Sequence, residues 1–201
     1  MPKNRRDFNR PYGKLPYRKL FVIATEGAKT EPQYFDIFRT LKREQVTISM
    51  LEGKNKSDPE NVLKRMKAYL KAERLKPSDE AWLVVDKDQW RDDQIGKLHE
   101  WTKQQKNYGL ALSNPKFEYW LLLHFADGDI RSGQNIEKLL DSHLPNYSHT
   151  KAVDPLKFKL ENIEEAISRA EKRDAPPCED WPRHPNRTTV YKLVSNILES
   201  R

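Results

Sequence analysis

Three acids stand where apolar runs end. Glu26 lies two residues past Leu20-Phe21-Val22-Ile23-Ala24, and Asp86 and Asp88 follow Ala81-Trp82-Leu83-Val84-Val85. Each run is short, continuous and rich in β-formers, the pattern of a strand buried on both faces. In an open α/β sheet, ligands collect beyond the carboxyl ends of the strands. Neighbouring parallel strands would therefore carry the three carboxylates to one edge of the sheet. Asp-Lys-Asp in an extended segment would point both aspartates to the same side. Carboxylates so gathered repel one another unless a cation sits among them, and hard oxygen donors suit Mg2+ or Mn2+. Such ions can stabilise the attacking and leaving oxygens of a phosphoryl transfer. A single acid after a strand serves equally well as a turn residue or helix cap; its recurrence after two buried strands favours metal.

Other residues could join them. Asn114 and Glu118 stand at i and i+4 at the start of an expected helix, sharing one face, either as a cap with its supporting acid or as further site groups. Lys29, just past Glu26, and Lys151 are candidates for contacting a phosphate. Gly27-Ala28-Lys29-Thr30 lacks the leading glycine and spacing of a phosphate-binding loop, which excludes an intrinsic nucleotide hydrolase of that type. His99, His143, His149, His184 and Cys178 show no zinc spacing. His124 reads as a core or interface histidine, and Trp120 to Leu123 as core.

The elements that must position these groups alternate. Apolar runs at 20–24, 46–51, 81–85 and 108–112 read as strands, and helical spacing recurs at 31–43, 58–75, 93–106 and 114–124. Thr30 fits an N-cap, and Ser57-Asp58-Pro59-Glu60 opens the second helix. This pattern predicts an α/β fold with a mostly parallel four-stranded sheet and flanking helices. Beyond residue 130 the strand signal ends, and helical patterns at 134–144, 156–173 and 187–199 predict a C-terminal cap packed on the sheet. The expected division is a basic N-terminal arm over 1–18, an α/β core over 19–130 and a helical extension over 131–201.

Composition narrows the class. The 201 residues carry a formal charge of +7, with 36% hydrophobic and 33% charged residues. Residues 1–20 hold seven basic side chains against Asp7 and so carry +6, leaving +1 for all the rest. Arg5, Arg6, Arg10, Lys14 and Arg18 are interleaved with Phe8, Tyr12 and Tyr17, a mixture suited to backbone contacts and stacking on nucleic acid. The same segment could instead be a solubilising arm or dock an acidic protein. One cysteine permits no internal disulfide, no run of about 18 apolar residues suggests a membrane span, and no apolar segment follows the basic start at signal-peptide length. A soluble, cytoplasmic protein is expected.

The residues also carry a resemblance. Phe21 to Gly27 followed by Val84-Val85-Asp86-Lys87-Asp88 resembles the Toprim domain of topoisomerases, primases and several nucleases. More closely, Glu26 to Phe35, Ser113-Asn114-Pro115-Lys116-Phe117-Glu118 through Phe125, and Pro185-Asn186-Arg187-Thr188-Thr189-Val190 resemble the RloB-like family, from about residue 19 to the C-terminus. That resemblance implies a Toprim-like fold, with Glu26 as metal ligand or general base and Asp86 and Asp88 as metal ligands. It also implies a nuclease-like member of a bacterial antiphage or abortive-infection locus, often beside an ABC-type or AAA ATPase. Lys87 between the aspartates and the shortage of further acids depart from a topoisomerase or primase, and 201 residues leave no room for a nucleophilic-tyrosine domain.

The expected function is therefore Mg2+- or Mn2+-dependent hydrolysis of a phosphodiester in DNA or RNA, with Glu26, Asp86, Asp88, Glu118, Lys29 and Asn114 at the site. The alternative is a non-catalytic module binding nucleic acid or an ATPase partner. Self-association stays open.

Overall fold

The computed structural model describes residues 17–53, 58–88, 90–131 and 133–200. Five strands form one sheet in the order β2-β1-β3-β4-β5: β1 (Lys19–Thr25), β2 (Val46–Leu51), β3 (Glu80–Asp86), β4 (Tyr108–Asn114) and β5 (Arg187–Thr188). The first four are mutually parallel, and β5 runs antiparallel to β4. Strand order reverses between β1 and β3, so the crossovers leave β1 in opposite directions and a crevice opens at their carboxyl ends.

Alternation along β1 builds two cores. Phe21 and Ile23 face one side, with Tyr34, Phe35 and Phe38 of α1 (Thr30–Leu41) and Trp120 of α4 (Phe117–Leu123). Val22 and Ala24 face the other, with Val62 and Met66 of α2 (Pro59–Ala72) and Ile95 and Leu98 of α3 (Asp92–Thr102). Pro59 occupies the first turn of α2, and Asp58 caps it by accepting from the Asn61 N–H at 2.8 Å.

The C-terminal third supplies α5 (Ile136–Leu140), α6 (Tyr147–Thr150), a 3-10 turn at Pro155–Lys157, α7 (Leu160–Arg173) and α8 (Val190–Glu199). Ile163, Ala166, Leu193 and Val194 enter the same core as Phe21 and Ile23, so these helices cap the sheet as expected.

Three local expectations need correction. The expected helix over 187–199 begins as β5, because Thr188 and Arg187 pair with Ser113 and Asn114 and Thr189 Oγ1 accepts the Leu112 N–H at 3.0 Å. A two-residue strand leaves no period-2 pattern to read. The pairing also extends β4 to Asn114, so α4 starts only at Phe117 and Asn114 and Glu118 do not share a helix; Pro115 disfavours helical backbone in the residue before it. Thr30 is the first residue of α1, with Lys29 in the cap position, and the Thr30 hydroxyl meets the Tyr147 hydroxyl at 3.2 Å.

Candidate active site

A cleft of about 270 Å³ opens at the carboxyl ends of β1 and β3, lined among others by Glu26, Lys29, Glu31, Asp86, Glu118 and Lys151. Four carboxylates thus face one small space. Glu26 leaves β1 and is pinned from two sides: its Oε2 accepts the Asp86 N–H and its Oε1 the Trp90 indole N–H, both at 3.1 Å. Burial pushes its carboxyl up to about 7; these bonds oppose the shift, and the charges of Glu31 and Asp88 add to it. Asp86 ends β3, and its Oδ1 accepts the Phe117 N–H at the first turn of α4 across 2.8 Å. Burial, then the charges of Glu31, Glu26 and Glu118, hold its carboxyl well above the usual range.

Glu31 is a site residue that sequence reading missed. It was legible only as a first-turn acid of α1, but it is 6% exposed, and its Oε1 accepts the Gly27 N–H at 2.9 Å. Burial raises its carboxyl, as does the charge of Glu118. Gly27 is required by this approach: a Cβ there would lie 2.2 Å from Glu31 Oε2. Glu118, 8% exposed on α4, accepts from the Tyr147 hydroxyl at 3.2 Å and from Lys151 Nζ at 3.1 Å. Lys151 also lies 2.7 Å from Glu137, which in turn pairs with Lys116. Burial works against ionisation of Glu137, yet the two lysines hold its carboxyl below the ordinary value. Tyr147 and Glu137 gave no sequence signal, because their roles arise from packing of α5 and α6 against α4.

Of the remaining candidates only Lys29 reaches the cleft, at its rim. Asp88 is exposed and absent from the cleft lining; the chain turns after Asp86, with a left-handed φ of 29° at Asp88, so the two aspartates do not share one side of an extended segment. The Asn114 amide donates to the carbonyls of Pro182 and Arg183 at 3.2 and 3.1 Å, tying β4 to the C-terminal segment instead of facing the acids. Lys29 is exposed at the rim and donates to the Thr150 carbonyl at 2.6 Å. Arg18 is exposed at the start of β1, the opposite end of the strand from Glu26, while Arg5, Arg6, Arg10 and Lys14 lie outside the described residues. His124 is buried, bonded to the Tyr34 hydroxyl and the Trp120 carbonyl, and burial lowers its imidazole to about 3.

The donor set fits a hard divalent cation in its chemistry. It offers only carboxylate oxygens, and three of the four acids are raised in part by one another's charge, which a cation would relieve. The side chains are otherwise engaged, however. Among the described residues, no three His, Cys, Asp or Glu groups close into a cluster that could enclose an ion. Glu26 is turned to Trp90 and the Asp86 amide, and the Glu118 charge is met by Lys151.

A protein-family model described as RloB-like protein matches residues 21–197, and the chain belongs to that family. No curated protein and no solved structure matches it. Among the described residues, no helix is long and apolar enough to cross a membrane.

Proposed function

We propose that this member of the RloB-like family is a divalent-metal-dependent nuclease that hydrolyses a phosphodiester of DNA or RNA. One observation carries the reading: Glu26, Glu31, Asp86 and Glu118 line a single cleft at the point where strand order reverses. Asp86 and Glu118 would hold Mg2+ or Mn2+, which when bound would supply positive charge to the reacting phosphate. Glu26, with a carboxyl near 7, is matched to taking a proton from the attacking water near neutral pH. The water oxygen forms the new bond to phosphorus, the bond to the leaving sugar oxygen breaks, and that oxygen takes a proton from solvent. Lys29 and Lys151, the two ammonium groups on the cleft, would hold the phosphate. A role in antiphage defence beside an ABC-type or AAA ATPase rests on the family resemblance.

The test is cleavage of single- and double-stranded DNA and RNA with Mg2+ or Mn2+, against Glu26→Ala and Asp86→Ala. The reading expects both variants to be folded and inactive; wild-type rates from either would overturn it.

A second reading has its own observation. The acids do not close around an ion among the described residues, and Lys151 already answers Glu118. The cleft would then be a structural knot in a module that binds nucleic acid or an ATPase. Isothermal titration separates the two readings, since this one expects no heat from Mg2+ or Mn2+ in the wild-type protein.

A further inference from the structure

Glu31 and Glu118 hold matching places in the fold: each is the second residue of its helix, α1 and α4. The Tyr147 hydroxyl joins the two helix starts, meeting Thr30 Oγ1 and donating to Glu118 Oε1, both at 3.2 Å. Asp86 is tied to the same place, since its Oδ1 accepts the Phe117 N–H of α4 at 2.8 Å. Acids from β3, α1 and α4 are thereby fixed around one cleft.

Each of these three acids uses one carboxylate oxygen within the protein and leaves the other open. Glu31 Oε1 accepts the Gly27 N–H, Asp86 Oδ1 the Phe117 N–H, and Glu118 Oε1 both Tyr147 and Lys151. Among the described residues, no other residue donates to Glu31 Oε2, Asp86 Oδ2 or Glu118 Oε2, and none of these oxygens is sealed from solvent. Glu26 differs, because both of its oxygens are bonded, one to the Asp86 amide and one to the Trp90 indole. Charge divides the same way. Lys151 answers Glu118, whereas Glu31, 6% exposed, and Asp86 form no ion pair among the described residues. A buried carboxylate is costly unless a group of opposite charge meets it.

We propose that the divalent cation of this cleft is held by Glu31 Oε2, Asp86 Oδ2 and Glu118 Oε2, with Glu26 and Asp88 outside its ligand set. The inference rests on the metal-dependent reading above for the identity of the group, and it departs from the ligand pattern that the Toprim resemblance implies. Three hard oxygen donors from three elements suit Mg2+ or Mn2+, which keep water in their remaining positions. The two charges that Lys151 leaves unanswered, on Glu31 and Asp86, are those a dication cancels. Among the described residues the groups do not enclose an ion as they stand. Binding therefore turns the side chains inward, while Tyr147 keeps the two helix starts together.

The experiment is titration of the full chain with Mn2+ near neutral pH, followed by the paramagnetic resonance signal of the free ion. Melting temperature in EDTA checks the fold of each variant. Glu31→Gln keeps the side-chain shape and an oxygen for the Gly27 N–H, and is expected to weaken Mn2+ binding at least about tenfold. Glu26→Gln removes the same charge from the same cleft without removing a ligand, and should weaken binding less than about threefold. Asp88→Asn, on an exposed residue outside the cleft, should do no more. Equal losses from Glu31→Gln and Glu26→Gln, or wild-type affinity in Glu31→Gln, would overturn this ligand set and leave the nuclease reading standing. No Mn2+ binding by the wild-type chain would overturn both. The expected order of affinities without cleavage of any substrate would support the ligand set and overturn the nuclease reading alone.

Discussion

The backbone N–H of Asp86 donates to Glu26 Oε2 across 3.1 Å, joining two acids that stand 60 residues apart in sequence. Parallel pairing of β1 with β3, Thr25 against Val84, delivers the ends of the two strands side by side. The bond orients Glu26 and helps the carboxylate form, while burial and neighbouring acids work against it. The outcome is a group with its charge change close to neutral pH.

That shift has a sign for stability. A carboxyl raised from 4.5 to about 7 in the folded chain binds more protons folded than unfolded between those values. Glu26 therefore contributes stability that is fully present below pH 4.5 and lost as pH rises through about 7. Replacing it by Gln should remove this dependence, so that the difference in stability between pH 5 and pH 8 shrinks by on the order of 2 kcal/mol after allowing for the partial exposure of the group. A pH-independent cost adds to this, for the N–H donor that then faces the amide NH2. Urea unfolding of both proteins at pH 5 and pH 8 measures it; identical pH dependence would refute the assignment.

Asp86 and Asp88 should behave differently. Asp86 lines the cleft and Asp88 does not. Asp86→Asn is expected to reduce metal-dependent cleavage at least about 100-fold, or about 2.7 kcal/mol of barrier, and Asp88→Asn less than about tenfold. Steady-state rates on the best substrate decide it, and equal losses would place Asp88 in the machinery after all.

Lys151 is the cation nearest Glu118, at 3.1 Å. Lys151→Met leaves a carboxylate that is 8% exposed without its ammonium partner and should destabilise the metal-free protein by about 1–3 kcal/mol. Mn2+ should then raise the melting temperature of the variant more than that of the wild type, because the ion replaces the lost charge. Equal Mn2+ shifts in the two proteins would mean that lysine and ion do not compete for these oxygens.

Gly27 and Glu31 should be coupled. A methyl group at Gly27 would fall 2.2 Å from Glu31 Oε2, so Gly27→Ala must displace a buried carboxylate and should cost about 1–3 kcal/mol. In Glu31→Ala the obstacle is gone, and the same change should cost under about 1 kcal/mol. A double-mutant cycle by denaturant unfolding reads the difference directly, and additive costs would show that the two residues do not meet.

Much of this was legible before folding. The continuous apolar runs over 20–24 and 81–85 are buried strands, Asp58-Pro59 opens a helix, and Glu26 and Asp86 stand together. Where the reading went astray, the deciding contacts were distant in sequence. Thr30 looks like a cap until Tyr147, 117 residues away, meets its hydroxyl. Asn114 looks like a helix-start residue until the carbonyls of Pro182 and Arg183 take its amide. Asp88 looks like the partner of Asp86 because spacing assumes an extended chain, and the chain turns there.

The sequence by itself determined the alternation of strands and helices, the family, and the two acids that end β1 and β3. These follow from local rules, since side-chain period and apolar content are properties of neighbouring residues. Only the tertiary structure decided that Glu31 and Glu118 complete the cleft, that Lys151 faces them, and that Tyr17 bonds to Asp79 at the opposite end of the sheet. Those are matters of strand order and helix packing, in which residues far apart in the chain share one small volume. No periodicity encodes which of the many buried or basic side chains will meet there.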